Sequence, residues 1–376
     1  MIYREPALTV EDEAVLEMIG RQRGRLKLFT QHNPRRWLGS LRRSTFARAI
    51  QGSNTIEGYL VSIDDAIAAV DATGPTNDRT ETWMATVGYR NALTYILQAA
   101  QDSYFEFSKQ FLKSLHFIMV GFDLSKFPGQ WRPGSVYVVD EKTGDAVYEA
   151  PPADLVDPLV QQLVAELSKE SPTPVIIRAA MAHLNLAMIH PFKDGNGRMA
   201  RALQTLVLGR EDILHPIFCS IEEWLGRNTD EYYRVLAAVG RGSWQPQNDP
   251  TPWLRFCLRA HYQQADTLIR RNEEHNLLIE RIDEIVKRKG LHDRTVLPLF
   301  DAALGLRLTN ARYQAGADVS QYVAGRDLKV LADIGLLLPR GESRGRTYLA
   351  GAELRAARAA SRIRRPLADP YSLLRG

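Results

Sequence analysis

Twelve consecutive residues, His190-Pro191-Phe192-Lys193-Asp194-Gly195-Asn196-Gly197-Arg198-Met199-Ala200-Arg201, bring together a base, a carboxylate, a glycine-rich turn and two guanidinium groups. A histidine of ordinary pKa, about 6.5, can take a proton from an attacking hydroxyl near neutral pH. Asp194 suits Mg2+, which accepts one or two protein carboxylates and fills its shell with phosphate oxygens. Gly195, Asn196 and Gly197 tolerate left-handed backbone and can point several amides into one concavity, which makes an anion cradle. Arg198 and Arg201 are three apart, so both can lie on one helical face and hold two phosphates of a chain. The chemistry these residues suit is transfer of a phosphate-containing group from a nucleotide.

Two helices must position them. Ile177, Ala180, Leu184, Ala187 and Met188 fall at helical spacing, and Pro191 stops the run, which leaves His190 at a helix end. From Arg198 to Leu208 a second helical pattern begins, and its N-terminus adds partial positive charge to the cradle.

On these residues the chain resembles the Fic family, whose pattern H-x-F-x-[D/E]-G-N-G-R-x-x-R is matched at each fixed position. The resemblance implies an adenylyltransferase: a Ser, Thr or Tyr hydroxyl of a target protein attacks the α-phosphorus of ATP and pyrophosphate leaves. It implies His190 as general base, Asp194 as the Mg2+ ligand, Gly195, Asn196 and Gly197 as the anion hole, and Arg198 and Arg201 on the outer phosphates. Phe192 becomes a core anchor. Gly197 stands where the kinase-like Doc branch has lysine, which favours AMP transfer over phosphorylation. Lys193 and Ala200 depart from residues frequent in relatives, at positions without a catalytic atom.

Two further stretches gain meaning only through the resemblance. Ser53-Asn54-Thr55-Ile56-Glu57-Gly58 is similar to the family's inhibitory motif; read alone, Ser53 caps a short helix, Gly58 ends it and Glu57 is a surface acid. By similarity Glu57 pairs with Arg201 and takes the place of the γ-phosphate; in some relatives the same glutamate is linked to removal of AMP. Tyr232 and Tyr233 follow a helix start at Asn228 or Thr229, and in relatives such a pair lies against the base and ribose.

The 376 residues, 45% hydrophobic and 24% charged, suit an ordinary globular protein of two or three domains. Cys219 and Cys257 have no metal or redox spacing, and a reducing cytoplasm is expected. No signal-like start and no run of about 18 apolar residues occurs, so no membrane span is expected. The net charge of +4 does not by itself demand nucleic acid.

The expected fold is mostly α, a Fic-type helical core with a β-hairpin flap and a C-terminal winged helix-turn-helix domain. Residues 1–104 form an N-terminal helical region carrying the inhibitory helix, 105–245 the catalytic core, 246–290 a helical connector, 291–351 the winged-helix domain and 352–376 a basic tail. Arg35, Arg36, Arg42, Arg43 and Arg48, interleaved with Trp37, Leu41 and Phe46, read as a solvated helix face. Thr73–Thr80 reads as a polar linker. Gly129–Tyr148 reads as a hairpin turning near Lys142–Asp145, and by resemblance it is the flap on which a target's hydroxyl-bearing segment docks. In the winged pattern Gln321, Tyr322, Arg326 and Lys329 fall on the recognition helix and Arg340, Arg344 and Arg346 in the wing, while Asp318, Asp327, Asp333 and Glu342 dilute the positive field. This admits DNA as a partner, and a homodimer is equally allowed. The rival function is a regulator that binds DNA or a partner through this module and uses the nucleotide site as a sensor. A second rival moves UMP or phosphocholine on the same fold.

Overall fold

The computed structural model describes residues 1–31, 38–72, 74, 80–139, 144–210, 218–342 and 346–375. Arg35, Arg36 and Trp37, most of the linker Thr73–Thr80, Lys142 in the hairpin turn and Arg344 in the wing lie outside the described residues. In chain order come α1 (Val10–Gln31), α2 (Leu38–Ile56), α3 (Ile63–Val70), α4 (Glu81–Gln101), α5 (Lys109–Val120), β1 (Tyr137–Val139), β2 (Ala146–Glu149), α6 (Ala153–Ser168), α7 (Val175–Ile189) and α8 (Asn196–Gly209). They are followed by α9 (Glu222–Arg227), α10 (Thr229–Gly240), α11 (Thr251–Arg288), α12 (Val296–Ala303), α13 (Asn310–Ala317), α14 (Gln321–Asp333), β3 (Leu337–Arg340), β4 (Thr347–Ala350), α15 (Ala352–Ala360) and α16 (Pro370–Leu373). The architecture is mostly α, as the sequence pattern predicts.

The chain divides into two units. The first comprises Met1–Lys27, Ser44–Asp266 and Ala368–Gly376, the second Leu28–Arg43 and Thr267–Leu367. These units are discontinuous in sequence and do not follow the five linear regions read from the sequence. The N-terminal segment and the catalytic stretch share one core, because Ile2 and Tyr3 are buried and the Tyr3 peptide exchanges two hydrogen bonds with the Asn185 amide. Within the basic tail, α15 packs on α12 and β4 with Leu354 and Ala357 buried, and Ala368–Gly376 belongs to the first unit, where Tyr371 Oη donates to Asp12.

At the heart of the first unit is α7, apolar around its whole circumference and buried at nearly every position, as a helix covered on all sides requires. It packs on α8 and α6, and α8 packs on α4, which in turn carries α5. Trp253, fully buried, donates from its indole nitrogen to the Ala180 carbonyl at 2.8 Å, so the start of α11 is pinned to α7. The hairpin is the antiparallel pair β1 and β2, with an irregularity between Val138 and Val139. Its base is fixed by the Tyr148 hydroxyl, which donates to the Met188 carbonyl of α7 at 2.8 Å.

In the second unit α12 packs on α13, α15 and β4, and α13 on α14. β3 and β4 pair antiparallel from Leu337 opposite Ala350 to Arg340 opposite Thr347, and Leu308 bridges to Tyr348 on the other edge of β4. Thr309 and Ser320 cap α13 and α14 with their hydroxyls. The basic face of α2 is not solvated as read: Arg43 pairs with Asp301 within this unit, and Arg48 lies 3.9 Å from Glu223 within the first.

Candidate active site

His190 ends α7 in the left-handed conformation, with φ 52° and ψ 56°, an uncommon place for a residue with a Cβ. Three contacts hold it there. Arg132 Nε donates to the His190 carbonyl at 2.8 Å, the Arg132 amide donates to the Pro191 carbonyl at 2.9 Å, and His190 Nδ1 lies 3.1 Å from the Ala187 carbonyl. A carbonyl can only accept, so Nδ1 carries the proton and Nε2 carries the lone pair. Burial holds the imidazole below its usual pKa, which keeps it neutral and basic at neutral pH.

The turn after it is a small self-braced loop. The Asn196 side chain is spent on the Phe192 peptide, accepting from its amide at 2.9 Å and donating to its carbonyl at 2.8 Å. Asn196 therefore serves the cradle with its backbone only. Phe192 is fully buried and stacks on His116 with ring centroids 3.8 Å apart. His116 was not legible as a site residue: Gly129 N donates to its Nδ1 at 2.9 Å, so Nε2 carries the proton and donates to the Asp194 carbonyl at 3.0 Å. Burial pushes its pKa down to about 4, so this neutral arrangement persists at ordinary pH.

Gly195 has φ +78° and is the one residue of the Gly-Asn-Gly run in the left-handed region; α8 begins at Asn196. No side chain caps α8, so its first amides are open to an anion. Gly197 is small for a different reason than left-handed backbone: a Cβ there would stand 2.4 Å from Glu57 Oε1.

Glu57 reaches that point because of how α2 ends. Ser53 is not the cap of a short helix but lies in the last turn of the 19-residue α2. Gly58, with φ +81°, lets the Tyr59 amide bond to the Asn54 carbonyl and its own amide to Thr55, closing the helix in a Schellman turn with Glu57 at its end. Tyr233 Oη donates to the Ile56 carbonyl at 2.9 Å, satisfying another orphan of the helix terminus. Gly52 lets α2 approach α9, since a Cβ there would stand 2.3 Å from the Glu222 carbonyl oxygen.

The two arginines differ sharply. Arg201 is buried; Nε donates to Ser53 Oγ at 2.7 Å, and Nη2 to the Ser53 carbonyl at 3.1 Å and to Glu57 Oε1 at 2.6 Å. Burial would lower its pKa, but the Glu57 carboxylate, together with Tyr232 and Tyr89, prevails and raises it. Arg198 is fully buried too, yet Nε, Nη1 and Nη2 make no hydrogen bond among the described residues. Its nearest support is the Tyr59 ring at 5.4 Å and Asp194 Oδ2 at 3.7 Å. A buried guanidinium without acceptors is costly to leave so, and it marks a place where an anion belongs.

Asp194 Oδ1 accepts from the Gly195 amide at 2.6 Å, and Oδ2 lies 3.1 Å from Lys126 Nζ. Burial would raise this carboxyl; Arg198, Lys126 and the Gly195 amide prevail and hold it below the usual range. Lys126 was also missed by sequence reasoning. It sits at the end of a short 3-10 turn, Leu124–Lys126, and also contacts Glu81 at 3.0 Å and the Tyr59 hydroxyl at 3.1 Å. Lys193 donates to the Ser125 carbonyl at 3.0 Å and braces that turn.

The two tyrosines are placed differently. Tyr232 is 1% exposed, its hydroxyl 3.0 Å from His183 Nε2 and its ring packed near Trp253, Phe256 and the Arg201 guanidinium. It belongs to the floor under Arg201, because the apolar start of α11 closes over it. Tyr233 is the half-exposed ring of the two, and its hydroxyl is engaged by α2.

Among the described residues no group of three or more His, Cys, Asp or Glu side chains converges, so a divalent ion here would have Asp194 and phosphate oxygens as its anchors. The buried, acceptor-less Arg198 and the uncapped start of α8 fit a polyphosphate beside that ion.

Comparison with known proteins agrees with this geometry. Residues 106–208 match the model of the Fic/DOC family. Protein adenylyltransferase fic-1 of Caenorhabditis elegans is 36% identical over 89 residues, 23% of this chain and 16% of that protein. A probable protein adenylyltransferase of Aquifex aeolicus is 30% identical over 98 residues, 26% of this chain and 28% of that protein. The chain thus covers less than a third of the length of these curated relatives. The crystal structure of a Fic family protein from Desulfovibrio desulfuricans shares the fold with a TM-score of 0.59 at 22% identity, over 93% of this chain and 99% of that one.

Proposed function

We propose, from the premise that this chain carries a Fic domain, that it is a protein adenylyltransferase held in an autoinhibited state by Glu57. The observation that carries the reading is the pair of buried guanidinium groups at the start of α8, one without an acceptor and the other closed by a carboxylate. A triphosphate would supply both with oxygens, and the open amides of α8 would take a third share of its charge.

In this reading the target's hydroxyl approaches His190 Nε2, which takes the proton as the oxygen bonds to the α-phosphorus of ATP. The bond from that phosphorus to the bridging oxygen breaks, and pyrophosphate leaves with the electron pair. Arg198 and Arg201 hold the outer phosphates and offset the charge that grows there. Mg2+ on Asp194 would neutralise phosphate oxygens and orient the chain for in-line displacement. Glu57 blocks this by occupying Arg201 and by placing negative charge where the γ-phosphate would sit.

The flap supplies the target site. Tyr137 and Val139 of β1 and Val147 of β2 are exposed, and an extended segment could add main chain to main chain along this hairpin. Such docking presents a hydroxyl over the site while reading little sequence.

The test is intact-mass analysis of Glu57→Gly protein after incubation with ATP and Mg2+, with Glu57→Gly/His190→Ala alongside. The expected result is a gain of one AMP less water on the protein itself or on an added target, absent in the double variant. No gain on any protein of a cell extract, with labelled ATP bound all the same, would turn the reading into a nucleotide sensor.

A further inference from the structure

We propose that the second unit binds double-stranded DNA, with the exposed face of α14 in the major groove and the β3–β4 ribbon against the phosphate backbone. Charge is segregated between the two units in a way that the chain's total of +4 conceals. The second unit contains 23 Lys and Arg against 12 Asp and Glu, a net +11, whereas the first contains 25 against 32, a net −7. Such an asymmetry points the basic unit toward a polyanion.

Four acids of the second unit are engaged within it. Asp327, counted from sequence as diluting the field, is buried, receives two hydrogen bonds from Arg294 at 2.6 and 3.0 Å and accepts from the Tyr313 hydroxyl. Asp301 pairs with Arg43, Glu353 with Arg288 and Lys289, and Glu274 with Arg358. The bases of α14 and the ribbon have no such use. The side chains of Lys329, Arg340 and Arg346 make no ion pair or hydrogen bond among the described residues, and Arg326, with 61% of its side chain exposed, only skirts Asp327 at 3.9 Å.

Their placement is ordered. Tyr322, Arg326 and Lys329 recur at four and then three residues, one stripe of α14, while Ala324, Asp327, Leu328 and Leu331 face the core. Tyr322 is 80% exposed, and with Gln321 it occupies the first turn, where groove-reading side chains of helix-turn-helix modules act. Arg340 and Arg346 flank the tip of the ribbon. Asp318, Asp333 and Glu342 remain exposed: Asp318 ends α13 just ahead of α14, Asp333 ends α14 and Glu342 is one acid beside those two arginines. A duplex fits the Tyr322–Arg326–Lys329 stripe and the ribbon's Arg340 and Arg346 better than a protein does, because the unpaired charges of that stripe are cations beside one aromatic ring. Val330, Ile334 and Leu338, farther along, are the apolar group a protein partner would use.

The experiment measures full-length protein against a fluorescent random-sequence duplex of about 30 base pairs, by anisotropy at low and moderate salt. About four neutralised phosphates predict a roughly 100-fold weakening between about 50 and 200 mM salt. Arg340→Ala/Arg346→Ala should weaken binding about tenfold or more at low salt on every sequence and reduce the salt slope by about two, near one for each arginine removed. Tyr322→Ala/Arg326→Ala should instead flatten the preference obtained by selection from a random library. His190→Ala should bind as the parent does, which separates this proposal from the transfer reaction. No binding to the random pool at low salt, or binding indifferent to both double variants, overturns it. So does self-association that depends on Val330 and Ile334 without DNA retention, which makes the surface a protein interface.

Discussion

Arg198 and Arg201 are one helical turn apart, equally buried, and opposite in circumstance. Arg201 is held by Ser53 and Glu57 from another helix; Arg198 has an aromatic ring and the Asp194 carboxylate at 3.7 Å but no hydrogen bond among the described residues. On the proposed reading this difference is what would control the site: Arg198 has no hydrogen bond and stands open to an anion, whereas Arg201 is engaged by the Glu57 carboxylate in the place that reading gives to the γ-phosphate. Inhibition on that reading would act through Arg201, without any change in His190 or Asp194.

The severest break in the comparison comes from the base, which belongs to neither arginine. His190→Ala in the Glu57→Gly background should cut ATP-dependent transfer by about 10²- to 10⁴-fold while nucleotide binding stays near the parent's. Retained turnover would show that another group takes the proton. The pH profile has a sign: burial lowers the His190 pKa, so the loss of rate on acidification should set in at a lower pH than for an ordinary imidazole, and an acid limb at or above the ordinary histidine range would argue against His190 as the base.

Next in size is Glu57→Gly. Opening Arg201 should raise initial transfer rates by about 5- to 150-fold, the usual span of a coupling between two sites. It leaves Arg201 with Ser53 alone, so the melting temperature should fall and saturating ATP should restore much of the loss. Equal rates in parent and variant would remove the inhibitory role. The arginines themselves should then separate: in that open background Arg201→Ala should weaken ATP about tenfold or more and AMP much less, whereas in the parent Arg198→Ala should cost ATP more than Arg201→Ala does, because Arg201 is already occupied. Titration calorimetry of the four proteins decides it.

Much of this was legible because it is contiguous. His190 to Arg201 and the Ser53–Gly58 stretch each carry their chemistry within a dozen residues, and α7 announced itself by periodicity. What was not legible depends on partners far apart in sequence. His116 and Lys126 are unremarkable in their own segments and become site residues only when α5 and its following turn pack under the loop. Tyr232 reads the same whether it lines a ligand site or a core, and the burial supplied by Trp253 and Phe256 decides for the core. The paired glycines Gly52 and Gly226, whose backbones nearly touch, have no local signature at all.

Gly197 sharpens the comparison through stability. If it is glycine to admit Glu57, Gly197→Ala should destabilise the parent by about 1–3 kcal/mol through crowding, and by clearly less in the Glu57→Gly background. Thermal unfolding of the two singles and the double supplies the cycle. Additive costs would mean that the helix start, not the carboxylate, requires glycine.

The smallest effect concerns Lys126. Its ammonium stands 3.1 Å from Asp194 Oδ2, on the carboxylate that the transfer reading gives to Mg2+, and it is tethered by Tyr59, only two residues beyond Glu57. A partly exposed pair of this kind is worth about 0.4–1 kcal/mol, so removing the lysine should free the carboxylate by a factor of about 2–5. Lys126→Ala in the Glu57→Gly protein should therefore lower the Mg2+ concentration for half-maximal transfer by that factor and leave the maximal rate nearly unchanged. A higher Mg2+ requirement would reverse the assignment: Lys126 would then be aiming Asp194 at the metal rather than competing with it, and Tyr59→Phe, which keeps the ring over Arg198 but drops the tether, should reproduce the rise.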